Sequence, residues 1–452
     1  MIRRQHSVSL KHFGLLLLAL LALGSAASAE WKEKVLYSFQ GGSDGSVPAG
    51  GVVFDPAGNL YGVTNEGGST CHSPGCGTIF QLSPGGGGAW AETILYGFNG
   101  TDGSYPGGGV IIDAAGNLYG TTSYGGNGPC KLLGYVVGCG VVYELSPPTQ
   151  KGGQWTYAIL YNFQGGNDGD FPNGDLVFDA KGNLYGATQF GGGKGTTCNI
   201  LFGGQCGTVF MLSPPKQKGG KWTEKVLHSF AGGTDGANPN GRLLLHGKGS
   251  IYGTTTTGGN QGCKSDSGVG CGTAFKLAPP SRKGGGWTET FLHVFGGIPD
   301  GGFPTAGMVF HNNGDLYGTS QTGGGGNFPS GTVFQLSHHL DGTWKERVLY
   351  SFQDGNDGGW PEAVPTFGAS GSLYGTAAEG GTVGGGTVFR FQPTGKGWEL
   401  SVLYTFTGPP DGSWPASSLI FDAAGSLYGT TQYSGTGTCG RYGCGTVFEV
   451  GP

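Results

Sequence analysis

An all-β, seven-bladed propeller of four-stranded antiparallel blades, spanning 30–452 behind a signal peptide at 1–29, is the architecture this sequence predicts. A Leu-Tyr or Ile-Tyr pair followed by Gly returns seven times, at Leu60-Tyr61, Leu118-Tyr119, Leu184-Tyr185, Ile251-Tyr252, Leu316-Tyr317, Leu373-Tyr374 and Leu427-Tyr428. Around each copy lie short runs of Val, Ile, Phe, Tyr and Thr bounded by Gly, Pro, Asn or Asp, four runs to a unit, which is the pattern of strands. A Trp opens every unit (Trp31, Trp90, Trp155, Trp222, Trp287, Trp344, Trp398), at steps of 59, 65, 67, 65, 57 and 54 residues. Repetition of a four-stranded unit at this spacing points to sheets set radially about an axis. A linear solenoid is the alternative, but it would need atypical capping units, and the terminal units resemble the inner ones.

Within a unit the order of elements follows from residue type. The small, glycine-led run at 51–55 suits the strand lining the channel, the Leu-Tyr-Gly run is second, and the Gly-Thr-x-Phe run is third. The Trp-led run is outermost. On this register the mature chain starts with an outer strand at 31–39 and ends with a third strand at 445–450. The first residues then complete the last blade and leave no free edge at the seam. Tight turns join the first two strands, with Gly at the same place in all seven units (Gly58, Gly116, Gly182, Gly249, Gly314, Gly371, Gly425), as a positive φ requires. The Asp that opens this turn is replaced by His246, His311 and Gly368 in three units.

Gly (100) and Pro (24) together make about 27% of the 452 residues, and their fixed offsets mark turns rather than disorder. Charged residues are only 12%, with 24 Lys and Arg against 29 Asp and Glu, so nucleic acid is excluded as a partner. Arg3, Arg4 and Lys11, the apolar stretch at 13–23 and the small residues Ala27-Ser28-Ala29 read as a cleaved secretory signal, too short to span a membrane comfortably. Removing those three cations leaves 21 against 29, a net charge of −8. The expected address is extracytoplasmic, secreted or periplasmic, with no membrane span and no sorting tail after Val450-Gly451-Pro452.

Ten cysteines form five local pairs: Cys71 with Cys76, Cys130 with Cys139, Cys198 with Cys206, Cys263 with Cys271, and Cys439 with Cys444. Each pair lies between the second and third strands, its second member directly before a Gly, and units five and six lack both members together. That pattern predicts local disulfides in an exported chain, and no second pair or His set nearby suggests zinc. The disulfide loops and the Asp-Gly-Pro loops should share one face. The tight turns and the Pro-Pro-basic linkers (Pro147-Pro148 with Lys151, Pro214-Pro215 with Lys216 and Lys218, Pro279-Pro280 with Arg282 and Lys283) should share the other.

Candidate ligand residues follow from that face. Asp44, Asp102, Asp168, Asp235, Asp300, Asp357 and Asp411 would ring the channel mouth as a cation or polar-ligand site, or each would accept backbone N–H groups in its own turn. Before the Pro stand Tyr105, Phe171, Phe303, Trp360 and Trp414, with Val47 and Asn238 in the other units; they would stack on sugars or pack between blades. Arg242, His246 and His311 break the repeat near the inner strands of blades four and five, and an enzyme would bring such residues together. No nucleophile elbow, phosphate loop, sialidase box or quinone-dehydrogenase docking motif is present, and no cofactor or metal is expected.

The fixed words Leu-Tyr-x-Phe, Gly-Gly-x-Asp-Gly, Gly-Asn-Leu-Tyr-Gly-Thr-Thr and Gly-Thr-Val-Phe-x-Leu, recurring in order over 31–450, resemble the bacterial GloVer (Gloeo-Verruco) tandem repeat. The resemblance implies an exported or surface protein, often of the choice-of-anchor type with a C-terminal anchor that this sequence lacks, and it supplies no catalytic residues. The expectation is therefore a monomeric binding scaffold for a glycan or another surface protein. The alternative is an extracytoplasmic propeller enzyme, a polysaccharide lyase or glycoside hydrolase, with its site at the channel mouth.

Overall fold

A computed structural model describes residues 30–68, 71, 75–193, 206–217, 219–259, 263 and 269–452. The signal segment at 1–29 and Cys198 lie outside the described residues. Seven four-stranded antiparallel sheets are present, and no α-helix occurs among the described residues. Blade 1 runs outward from Val53–Phe54 through Leu60–Thr64 and Thr78–Pro84 to Trp90–Gly97. The same order repeats to blade 7, where Ile420–Phe421, Leu427–Thr431 and Thr446–Gly451 are completed by Lys32–Ser38 from the start of the chain. Lys32 pairs with Gly451 and Ser38 with Thr446, so the ring is closed by strand pairing as the register predicts.

The Leu-Tyr-Gly run shows why it recurs. All seven Leu or Ile members are fully buried, and each Tyr is nearly so. The Gly faces the aromatic ring of the third strand: a Cβ on Gly62 would stand 2.6 Å from Phe80 Cζ, and Gly186, Gly253 and Gly429 meet Phe210, Phe275 and Phe448 in the same way. The Tyr is a joint between blades. Tyr317 of blade 5, for instance, lies between Phe367 (5.2 Å, edge-on) and Trp398 (5.6 Å) of blade 6. Tyr61 meets Trp155, and across the seam Tyr428 meets Phe54 while Trp31 meets Tyr374. Where the turn keeps its Asp, the Tyr hydroxyl donates to it, as Tyr61 does to Asp55 Oδ2 at 3.1 Å.

A second joint lies at the pre-proline position. Val47, Tyr105, Phe171, Asn238, Phe303, Trp360 and Trp414 all hold φ between 53° and 61°, a left-handed conformation costing about 1–3 kcal/mol for a residue with a Cβ. Two backbone hydrogen bonds offset it. The N–H of Tyr105 donates to Cys76 O of the preceding blade, and its carbonyl accepts from Ser123 N of its own; the other six do the same. The proline that follows lies against the Gly after the second cysteine, so that a Cβ on Gly77 would be 2.7 Å from Pro106 Cδ. This Gly and the Pro are two halves of one interblade contact, which is why both persist through the repeat even where the cysteine is Ser330 or Gly385.

Disulfides join Cys71–Cys76, Cys130–Cys139, Cys263–Cys271 and Cys439–Cys444, with Cα–Cα distances of 5.0–5.6 Å. Cross-links of this kind belong to an oxidising, extracytoplasmic setting. No helix among the described residues is long and apolar enough to cross a membrane. Disulfide loops and Asp-Gly-Pro loops do share a face, held together by bridges such as Ser104 with Tyr124 and Ser413 with Tyr433. The opposite face carries the tight turns and the exposed Lys151, Lys216, Arg282 and Lys283; Lys218 lies outside the described residues.

Candidate ligand-binding face

Two cavities open on the stapled side of the ring. The first is the central channel, about 290 Å³, to which all seven blades contribute the residues just after their interblade proline. Its wall is mostly backbone, because neighbouring inner strands approach without side chains between them. A Cβ on Gly50 would lie 2.6 Å from Gly109 N, and one on Gly174 would lie 2.6 Å from Asn240 O. Into this small-residue ring blades 3 to 6 place a polar arc of Asn173, Asp175, Asn240, Arg242, Thr305 and Glu362.

The arc is partly self-satisfied. Asn173 Nδ2 donates to Asn240 Oδ1 at 3.0 Å, and Asp175 Oδ1 accepts from Gly109 N at 2.6 Å. Glu362 accepts from Gln321 Nε2 and from the Trp414 side chain, yet burial holds its carboxyl above the usual range. Thr305 Oγ1 is buried without a partner. Arg242 is exposed.

The second cavity is a groove of about 1040 Å³ beside the Cys439–Cys444 loop, lined by Trp414, Tyr433, Arg441, Tyr442, Pro409 and Pro410 among others. Tyr433 and Tyr442 lie 5.6 Å apart, and Trp414 is 6.1 Å from Tyr433. The Arg441 guanidinium stands over the Tyr442 ring at 5.7 Å. Trp414 connects the two cavities, since it lines the groove and donates to Glu362 of the channel. Trp360 packs on it at 6.1 Å, edge-on.

The structure places the seven repeat aspartates elsewhere. None lines the channel. Each sits at the rim between consecutive outer strands, where it accepts the backbone N–H three or four residues earlier and faces a Tyr or His six or seven residues earlier. Asp44 takes Tyr37 Oη at 2.9 Å and Gln40 N at 3.0 Å; Asp102, Asp168, Asp357 and Asp411 repeat this with Tyr96, Tyr161, Tyr350 and Tyr404. Asp235 and Asp300 face His228 and His293. A Glu of the next outer strand adjoins most of these pairs. Burial and the neighbouring Asp push Glu33 up to about 8 and Glu92 and Glu224 up to about 7.

Arg242, His246 and His311 do not converge. Arg242 lines the channel, whereas His246 and His311 stand where other blades have their turn Asp, packed at a tilt on Phe310 at 4.1 Å and Phe367 at 4.7 Å. Of the pre-proline aromatics, Phe171 and Tyr105 pack against Tyr124, and Trp414 alone lines the groove. Sequence reasoning missed Asn173, Asp175, Asn240, Thr305 and Glu362, and also Tyr433, Arg441 and Tyr442. For the channel residues the available signal was a polar residue one or three places after the repeat proline, where other units carry Ala, Gly, Ser or Val.

Two groups among the described residues combine His with two carboxylates: His228, Asp235 and Glu289, and His293, Asp300 and Glu346. Cys130, Cys139 and Asp170 also cluster, but both sulfurs are engaged in a disulfide.

The profile of the Gloeobacter/Verrucomicrobia repeat matches residues 133–363 and 325–452. No curated protein matches. Among solved structures, the chain is similar to a putative oxidoreductase (glucose dehydrogenase) of Thermus thermophilus, at 14% identity and TM-score 0.43 over 93% of this chain and 99% of that one. The PQQ-bound aldose sugar dehydrogenase of Streptomyces coelicolor is 15% identical, with TM-score 0.42 over 93% and 98%. A gluconolactonase of Xanthomonas campestris is 13% identical, with TM-score 0.40 over 82% and 89%.

Proposed function

Since the chain belongs to the Gloeobacter/Verrucomicrobia repeat family, we propose that it is an extracytoplasmic binding scaffold, secreted or periplasmic, that holds an oligosaccharide on its stapled face. The carrying observation is the blade 7 groove, where Trp414, Tyr433 and Tyr442 line one cavity with Arg441. Rings of this kind offer flat apolar faces to sugar C–H groups, while their polar edges and the guanidinium suit hydroxyls. Through Trp414 the groove continues to the polar arc of the channel, so a ligand of several sugar units would have polar partners beyond the platform. The test is a glycan array on the mature protein, followed by tryptophan-fluorescence titration of the hits with Trp414→Ala and Tyr442→Ala. A loss of about tenfold in affinity in each variant, about 1.4 kcal/mol and within the range of about 0.5–1.5 kcal/mol for an aromatic contact, is the expected result. An array without hits, or hits that both variants bind as well as the parent, overturns the reading.

A propeller enzyme is the second reading, and one observation favours it: Glu362, with its raised carboxyl, shares the channel with the exposed Arg242. Release of reducing ends or of unsaturated products from the array hits, abolished by Glu362→Gln, would select it.

A further inference from the structure

We propose that the rim clusters His228–Asp235–Glu289 and His293–Asp300–Glu346 each bind one divalent transition-metal ion of the zinc type, cross-linking blade 3 to blade 4 and blade 4 to blade 5. The repeat itself supplies the comparison. At five rim positions a Tyr hydroxyl donates to the loop Asp at 2.5–3.0 Å. At the other two an imidazole takes the place of the phenol, and a Glu from the next outer strand completes a set of one nitrogen and two carboxylates. All three ligand atoms in each set lie within 4.8 Å of one another.

The distances fit an ion better than a hydrogen bond at the first cluster. His228 Nε2 is 3.8 Å from Asp235 Oδ2 and 3.5 Å from Glu289 Oε2, both longer than an N–H···O bond. Zinc bonds of about 2.0–2.2 Å separate adjacent ligand atoms of a tetrahedral site by about 3.2–3.6 Å. The His228 nitrogen is shielded from solvent and has no hydrogen-bond partner. At the second cluster His293 Nε2 stands 3.0 Å from both oxygens of Asp300, a direct contact that an entering ion would replace. Each ring is held edge-on by the next aromatic of its own strand, His228 by Phe230 at 4.6 Å and His293 by Phe295 at 4.8 Å. Imidazole with carboxylate is a borderline ligand set, suited to zinc, cobalt or nickel, and three protein ligands leave a fourth place for water.

The repeat also provides clean variants. Tyr stands at the same strand position in five sister blades, so His228→Tyr and His293→Tyr keep the Asp contact and remove the imidazole. Metal-free protein is titrated with Co²⁺, followed by its visible d–d absorption, and with Zn²⁺ by calorimetry. The parent should take up two equivalents, each single variant one, and the double variant none, with Zn²⁺ raising the melting temperature of the parent most, of each single variant less, and of the double variant not at all. Glu289→Gln and Glu346→Gln should each weaken one site by tenfold or more. No uptake by the parent, or two equivalents retained by the double His variant, overturns the assignment. Undiminished binding in both Gln variants overturns the role given to Glu.

Discussion

Tyr143→Phe should stabilise this protein, although it removes a polar group and adds nothing. Tyr143 occupies the third-strand position at which the other six blades have Phe80, Phe210, Phe275, Phe334, Phe389 and Phe448. It is fully buried, its hydroxyl has no hydrogen-bond partner, and burial drives the phenol far above its ordinary pKa. A buried hydroxyl left unpaired costs about 1–3 kcal/mol of desolvation, while the ring keeps its contacts with Phe98 at 5.4 Å and Tyr157 at 5.7 Å. The expected gain is about 1–2 kcal/mol. Tyr157→Phe is the matched control. Its hydroxyl donates to Asp102 O at 2.6 Å, so the same atom change should destabilise by about 0.5–1.5 kcal/mol. Urea unfolding of the oxidised protein, read as a midpoint shift at constant slope, measures both. Changes of the same sign in the two variants, or a loss of stability in Tyr143→Phe, would refute the reasoning.

Two further outcomes are expected. Glu33, pushed up to about 8, and Glu92 and Glu224, pushed up to about 7, are protonated in the folded ring and ionised in the unfolded chain between their ordinary value of 4.5 and those figures. Their contribution is complete below about pH 4.5 and is lost as pH rises through 7 to 8. The melting temperature should therefore fall from pH 5 to pH 8.5 in metal-free buffer, and the triple Gln variant should flatten the slope; a profile that rises over this window contradicts the assignment. Gly445→Ala should cost about 2 kcal/mol or more by thermal or urea unfolding, because Gly445 holds φ at 88° and a Cβ would stand 2.5 Å from Pro48 Cδ across the seam. Gly395→Ala, with open space around it, should be close to neutral in the same assay.

The strand order, the closing strand and the disulfide pattern were legible because each is written once per unit and repeated. Leu-Tyr-Gly predicted a buried strand, and the structure adds why the glycine cannot change: the ring of Phe80 or its equivalent lies on it. Position along the blade radius was less legible. The loop aspartates share a face with the channel, but the partner that draws each outward is a Tyr or His on the outer strand, and the adjoining Glu belongs to the next unit. The channel arc was hidden for the opposite reason. Asn173, Asn240, Thr305 and Glu362 occupy positions that are Ala or Gly in other units, and only ring closure brings residues nearly 190 apart to one wall. The groove takes Arg441 and Tyr442 from the Cys439–Cys444 loop, and the disulfide loops differ in length and residues from unit to unit, so the repeat gives no template for them.

The seam has a mechanical consequence. Lys32 lies opposite Gly451, and the paired strands run antiparallel from that end to Ser38 and Thr446. Tension applied at the two extremities of the polypeptide would peel this ladder rung by rung, as a zipper opens, instead of loading all its rungs in shear. A tether at one end alone loads the ladder only with the drag on the ring itself, whereas a molecule strung between two attachments takes their whole tension at the seam.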